Sequence, residues 1–217
     1  MSERELQLDE YLIRLLKVLD MLTQIADEGL LLIRGMETAN NPPATLRFDA
    51  PVGTQAERDR AELWPGDWFD ATGFATLYST PPTRHTGADL NRPNWKDAGQ
   101  PVYASADGLL EFSGVVKGWQ GGVVVIKHML ENGDAVWTRY AHIKINPELT
   151  VGSMIKRGAQ IGVIADYLPA GPAGDHLHFD VARIDLGAAP GDWPGLDVDR
   201  LRRDYVDPLE FVKERHV

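Results

Sequence analysis

Between residues 5 and 35 the apolar positions recur every three or four residues. Leu8, Leu12, Leu15, Leu19, Leu22 and Ala26 form the series, widened by Tyr11, Leu16, Val18 and Ile25. That period lays one apolar stripe along a helix. Gly29 weakens the pattern and Leu30-Leu31-Leu32-Ile33 resumes it. Asn40-Asn41-Pro42-Pro43 stops it, because proline cannot continue a helix and restricts the residue before it. From Leu46 the texture changes to short runs punctuated by Gly and Pro, the texture of an all-β architecture. Val102-Tyr103-Ala104 and Leu109 to Val116 are predicted strands, separated by the turn signal Asp107-Gly108. Val123-Val124-Val125-Ile126-Lys127-His128 is a β-branched run typical of a buried strand. Asn132-Gly133 is a hairpin signal and returns the chain into a strand from Ala135 to His142. Residues 174–184 are predicted as a further strand, and a short helix is expected after Asp207-Pro208. Gln55 to Leu63 is charged and expected to be an exposed loop or short helix.

Composition narrows the choices. At 217 residues, 43% hydrophobic and 25% charged, the chain suits one domain with an appendage and can bury a sizeable core. There is no cysteine, so a disulfide framework or thiolate metal site is excluded, and any metal must be held by His, Asp or Glu. The formal charge of −10 gives no electrostatic footprint for nucleic acid or anionic lipid.

Chemistry is concentrated in the histidines. On a strand, alternate side chains share a face, so His176 and His178 of Gly174-Asp175-His176-Leu177-His178-Phe179-Asp180 point the same way. Upstream, His85-Thr86-Gly87-Ala88-Asp89 sets an imidazole and a carboxylate four apart. Each pattern alone is a weak signal. Together, and without cysteine, they supply three or four N/O donors, the requirement of a catalytic zinc with three protein ligands and one open position. His142 lies on the return strand of the Asn132-Gly133 hairpin, and His128 on the outgoing one. His128 is expected to be structural or superficial, and His216, beside the last residue, to be solvated.

Three segments in this order, His85-Thr86-Gly87-Ala88-Asp89-Leu90, Thr138-Arg139-Tyr140-Ala141-His142 and His176-Leu177-His178-Phe179-Asp180, resemble the signature segments of peptidase family M23. These are the LytM/lysostaphin-type zinc metallopeptidases that cut peptide bonds in bacterial peptidoglycan. Pro101 to Gly108, Val151-Gly152 through Gly162, and Asp207-Pro208 resemble its flanking elements, so the likeness runs from about Leu46 to Pro208. The resemblance implies a mainly β fold, an antiparallel β-sheet or sandwich of the LytM type over residues 41–217, preceded by an N-terminal α-helical segment over 1–40. It implies one Zn²⁺ per chain held by His85, Asp89 and His178, with His142 and His176 as catalytic histidines off the metal. Which of those two is the general base stays open. Asp180 stands where Glu is common, and its role is left open too. Tyr140, Asn91 and Arg92 are candidates to line the groove, with residues 55–80 and 164–175 as its walls.

The expected function is therefore zinc-dependent endopeptidase action on peptidoglycan stem peptides or cross-bridges. The alternatives are a non-catalytic LytM-like binding or regulatory module and a zinc peptidase with a non-wall substrate. No ligand or catalytic position is missing, which weighs against the first alternative. The acidic start, Met-Ser-Glu-Arg-Glu, lacks the order of a secretory signal. Charges at Arg14, Lys17, Asp20, Asp27 and Glu28 break any membrane span. No signal peptide or transmembrane segment is expected in these residues, and a cell-wall location is implied by the resemblance alone. The expected partner is a peptidoglycan peptide, not nucleic acid. The helical stripe is a candidate for self-association as a coiled coil, set behind packing on its own domain.

Overall fold

The computed structural model describes residues 16–19, 21–23, 25–26 and 42–216, apart from 61, 80, 94–96 and 168–173. The chain divides into two compact units, Met1–Asn41 and Pro42–Val217. In the first, the described residues are helical, and Leu16, Leu19, Leu22 and Ile25 of the stripe are exposed. The rest of the predicted helix lies outside the described residues. No helix among the described residues is long and apolar enough to cross a membrane.

The second unit is built on one large, mostly antiparallel sheet. The strands that matter to the site are β1 (Phe69–Asp70), β2 (Ala88–Asn91), β3 (Gly108–Gly114), β4 (Gly122–Leu130), β5 (Ala135–Ile145), β6 (Met154–Ile155) and β7 (Leu177–Ala182). They lie side by side in the order β6-β3-β4-β5-β7-β2-β1. Two helices follow, α1 (Val198–Asp204), not anticipated from the sequence, and α2 (Pro208–Glu214), begun as expected by an Asp207 cap and a proline in the first turn.

The β-branched run of β4 shows why the sheet is central. Val124 and Ile126 pack into one core with Phe48, Leu110, Tyr140, Phe179 and Val212. Val123 and Val125 pack into a second core with Trp137, Ala141, Leu201 and Tyr205. Successive side chains of a strand point to opposite faces, so a continuous apolar run means both faces are covered. Strand β7 divides in the same way. Leu177, Phe179 and Val181 enter the first core, which leaves His178 and Asp180 on the opposite face.

Strand β5 carries an irregularity. Opposite β4, Ala141 pairs with Val123 and Ile143 with Gly122, so His142 is one residue more than the ladder holds. His142 sits at φ 63°, in the left-handed region. An extra residue there is a β-bulge, and it re-aims the bulged side chain. The bulge also explains why Tyr140 does not share a face with His142, as plain alternation predicted. Tyr140 is fully buried in the first core, where its hydroxyl accepts the Ser105 N–H at 2.8 Å, and it does not line the groove.

Candidate metal and proton-transfer site

Register places the donors. Strand β2 pairs antiparallel with β7 so that Asp89 lies directly opposite His178. His85 follows the short strand Thr83–Arg84, its own N–H and C=O tied to Thr76 and Ala75. Gly87, between His85 and Asp89, crosses β7 so closely that a Cβ there would stand 2.1 Å from the Phe179 carbonyl oxygen. Only glycine permits that approach, which brings both upstream donors against β7. Asp70 of β1 steadies the next donor by accepting the Asp89 N–H at 3.0 Å. Burial pushes this Asp70 carboxyl up to about 6.

Three donor atoms converge. His85 Nε2 is 2.9 Å from His178 Nδ1 and 3.0 Å from Asp89 Oδ1. His178 Nδ1 is 3.2 Å from the same oxygen. A tetrahedral Zn²⁺ with bonds of about 2.0–2.1 Å needs ligand atoms about 3.3 Å apart, so this triangle is close to the face such an ion occupies. The protonation pattern agrees. Nε2 of His178 donates to Asp180 Oδ2 at 3.0 Å, which leaves the Nδ1 lone pair facing the triangle. Burial alone would raise the Asp180 carboxyl, but the Arg139 charge and the His178 contact hold it down to about 2. It is therefore a permanent acceptor. Burial also opposes charge on His178, yet Asp180 and Asp89 draw its pKa upward. The local field favours a cation where the three lone pairs meet, and these donors fit a zinc ion.

Two more imidazoles stand beside the triangle. His142 and His176 have ring centroids 4.6 Å apart. Each fixes its tautomer on a backbone carbonyl, His142 Nδ1 donating to Gln120 at 3.0 Å and His176 Nδ1 to Gly174 at 3.0 Å. Both therefore present Nε2 to the cleft. Nε2 of His176 is 3.6 Å from Asp89 Oδ1, outside the triangle. Burial pushes His142 down to about 3, helped by the neighbouring His176 and His178, so it is neutral at physiological pH.

A cleft of about 310 Å³ opens over these groups, bounded by Tyr78, Trp119 and Trp193 as well as Asp89, His142, His176 and His178. Trp119 stacks on His142 with centroids 5.8 Å apart and an interplanar angle of 26°. The Trp193 indole N–H is pinned to Thr83 Oγ1 at 2.7 Å. A smaller hollow of about 100 Å³ continues past His142 and His176 to Ala165, Asp166 and Tyr167. Of the expected walls, Tyr78 and residues 165–167 are in place, and 168–173 lie outside the described residues. The two tryptophans were missed. Their signal was a large aromatic side chain in a Gly-flanked loop, Gly118-Trp119-Gln120-Gly121 and Gly191-Asp192-Trp193-Pro194. Asn91 and Arg92 do not line this cleft. Asn91 is buried and holds the Asp175 carbonyl at 3.0 Å, while Arg92 pairs with Asp67. Asp175 is buried as well, accepting the Tyr167 N–H at 2.6 Å.

Residues 83–190 match the family model described as peptidase family M23. The chain belongs to peptidase family M23. It is 36% identical over 100 residues to the DD-carboxypeptidase/endopeptidase Mpg of Neisseria meningitidis serogroup B, and to that of Neisseria gonorrhoeae. That match takes in 46% of the M23 chain and spans only 20% of the relative's length. Among solved structures, lysostaphin from Staphylococcus simulans aligns with a TM-score of 0.51 at 18% identity, over 80% of this chain and 56% of that one. A chain of the SpoIIQ–SpoIIIAH pore forming complex aligns with a TM-score of 0.52 at 19% identity, over 78% of this chain and 92% of that one. These likenesses establish the mostly β, lysostaphin-like fold of the M23 unit.

Proposed function

We propose that the M23 unit is a zinc-dependent endopeptidase acting on peptide bonds of peptidoglycan. The observation that carries this is the pair of adjacent constellations: three convergent donors, His85, Asp89 and His178, and two cleft-facing imidazoles, His142 and His176. Fold cannot decide the matter, because a lysostaphin and a component of a pore forming complex share it. A purely structural or adaptor role has no use for two tautomer-fixed imidazoles beside three convergent donors.

His85, Asp89 and His178 would hold the ion. When bound there, zinc supplies Lewis-acid polarisation of the scissile carbonyl and lowers the pKa of a water toward 7. The chain's own groups handle the protons. His142, neutral and with Nε2 open, accepts a proton from the attacking water, and the same nitrogen can return it to the leaving amine. His176, its Nδ1 engaged by Gly174, offers Nε2 as a hydrogen-bond partner for the charge that develops on the carbonyl oxygen. Trp119 and Trp193 exclude water and hold the peptide flat across the site. The peptidoglycan substrate rests on the resemblance of the three motif segments to family M23, and the peptidase reading is supported by the Neisseria DD-carboxypeptidase/endopeptidase and by the antimicrobial peptidase lysostaphin.

The test joins metal analysis to digestion. The purified protein should hold about one zinc per chain and release new amino termini from purified peptidoglycan, both lost on chelation. A protein that binds zinc yet leaves peptidoglycans of both direct and glycine-bridged cross-link types intact would remove the wall substrate.

A further inference from the structure

Arg139 is fully buried, and beyond holding Asp180 ionised it has been given no part in the chemistry above. It lies directly across from Asp180 in the pairing of β5 with β7. One arm of its guanidinium, Nη2, donates to Asp180 Oδ2, the same oxygen that receives His178 Nε2–H and the Thr86 hydroxyl. The other arm, Nη1, donates to the Pro190 carbonyl at 3.0 Å and the Asp192 carbonyl at 2.9 Å. The Asp192 carbonyl immediately precedes Trp193, a wall of the cleft, and the Pro190 carbonyl lies three residues before it. The guanidinium carbon also lies over Trp119, a neighbouring wall, 4.5 Å from the ring centroid.

We propose that Arg139 is a positioning residue that couples metal-ligand orientation to the shape of the substrate cleft. One planar cation holds the back of His178 through Asp180 and, at the same time, the loop that carries Trp193. The proposal rests on the metal reading of His178 given above. Burying such a pair is a costly way to gain stability, since a well-packed apolar substitute is often as good. The pair is also incompletely satisfied: among the described residues, Arg139 Nε and Asp180 Oδ1 have no hydrogen-bond partner. Its geometry, two arms set at a fixed angle, is what an apolar replacement cannot supply. Lysine cannot either, because an ammonium is a point donor without the fork.

The experiment compares Arg139→Lys, Asp180→Asn and Trp193→Phe in the full chain. Three measurements are made: Zn²⁺ affinity by chelator competition, the near-ultraviolet circular dichroism of the tryptophans, and the kinetics (kcat and KM) on a soluble cross-linked muropeptide. Asp180→Asn should weaken Zn²⁺ binding about 10–100-fold, the usual cost of losing a ligand's hydrogen-bond partner, and leave the tryptophan signal in place. Trp193→Phe should raise KM and leave Zn²⁺ affinity unchanged. Arg139→Lys should do both. Ile155→Ala, in a strand at the far edge of the sheet, is the control for general destabilisation and should move neither Zn²⁺ affinity nor KM. Arg139→Lys with Zn²⁺ affinity within twofold of wild type, or with an unaltered tryptophan signal, overturns the proposal. Should that variant not fold, the coupling is read in the wild type. Zn²⁺ binding should shift the tryptophan signal, and Asp180→Asn should abolish that shift; a shift of full size in Asp180→Asn overturns the proposal. A wild type that binds no Zn²⁺ would defeat the functional reading, while the effect of Arg139→Lys on the tryptophan signal would still decide the Arg139–Trp193 half.

Discussion

At the scale of single residues, the histidines divide by what their nitrogens meet. His178→Ala or Asp89→Ala removes a corner of the donor triangle and should abolish Zn²⁺ retention, measured by metal analysis after dialysis. His142→Ala should keep the metal and lower kcat about 10²–10⁴-fold, the usual share of a positioned proton carrier; unchanged turnover would refute its role. His128 and His216 show where the sequence under-informs. His128 is fully buried, with Nδ1 at the Asp107 carbonyl and Nε2 at Thr138 Oγ1, both 2.8 Å away. Burial holds it down at about 4, against 6.5 for a free imidazole. Above pH 6.5 both folded and unfolded states are neutral there and its contribution is complete. Between 6.5 and 4 the unfolded chain binds a proton that the folded chain refuses. Stability then falls by on the order of 3 kcal/mol. Urea unfolding at pH 7 and pH 4.5 should show a larger loss for wild type than for His128→Gln, and equal losses would rule this out. His216, expected to be solvated, is instead largely covered, its ring nitrogens at the Phe48 carbonyl at 3.2 Å and the Asp59 carbonyl at 2.8 Å. No local pattern announces such partners, because both lie more than 150 positions away in the chain.

At the scale of elements, the long strands were legible, while the two-residue strands and all the registers were not. The β-branched run of β4, the Asn132-Gly133 turn and the Asp207-Pro208 helix start each carry their signal locally, and each appears where its signal stands. The pairing of Asp89 with His178, and of Arg139 with Asp180, depends on how three distant strands slide against one another. That is decided by packing on both faces of the sheet and not by any one segment. The tryptophan walls were hidden for a related reason: they sit in loops whose direction is fixed by tertiary contacts such as Trp193 to Thr83. The contact of β2 with β7 gives a direct test. Gly87→Ala would drive a methyl into the Phe179 carbonyl and part the two strands. It should cost about 1–3 kcal/mol of stability, as overpacking does. Zn²⁺ affinity should fall with it, because His85 and Asp89 are on one side of that contact and His178 on the other. Full Zn²⁺ affinity in a destabilised Gly87→Ala would show that the strand spacing does not set the triangle.

At the scale of the molecule, the M23 unit encloses two cores around one sheet, and the site lies on the face that the first core leaves free. A ligand that binds only the folded chain stabilises it by mass action, about 2.7 kcal/mol at one hundred times its dissociation constant. The melting temperature should therefore rise on Zn²⁺ addition and fall on chelation in the wild type, and stay flat in His178→Ala. A chain beginning at Pro42 contains both cores and should unfold with the same cooperativity as the full chain, monitored by circular dichroism. Comparing the sedimentation of the two also tests the exposed stripe at Leu16, Leu19, Leu22 and Ile25: association present in the longer chain and lost in the shorter assigns it there.

The extra residue in β5 has a consequence for how such a domain loses its activity. Tyr140 and Ile143 face the same core, and Ala141 the other. Excising residue 142 would thus leave Tyr140, Ala141 and Ile143 in ordinary alternation, paired to β4 without a break. It would also remove a non-glycine residue from the left-handed region, a relief of about 1–2 kcal/mol. The shortened strand should be at least as stable as the natural one, and the protein inert. Loss of this one residue would remove the proposed proton carrier while leaving the sheet intact, and thermal unfolding of the deletion variant beside a digestion assay checks both halves.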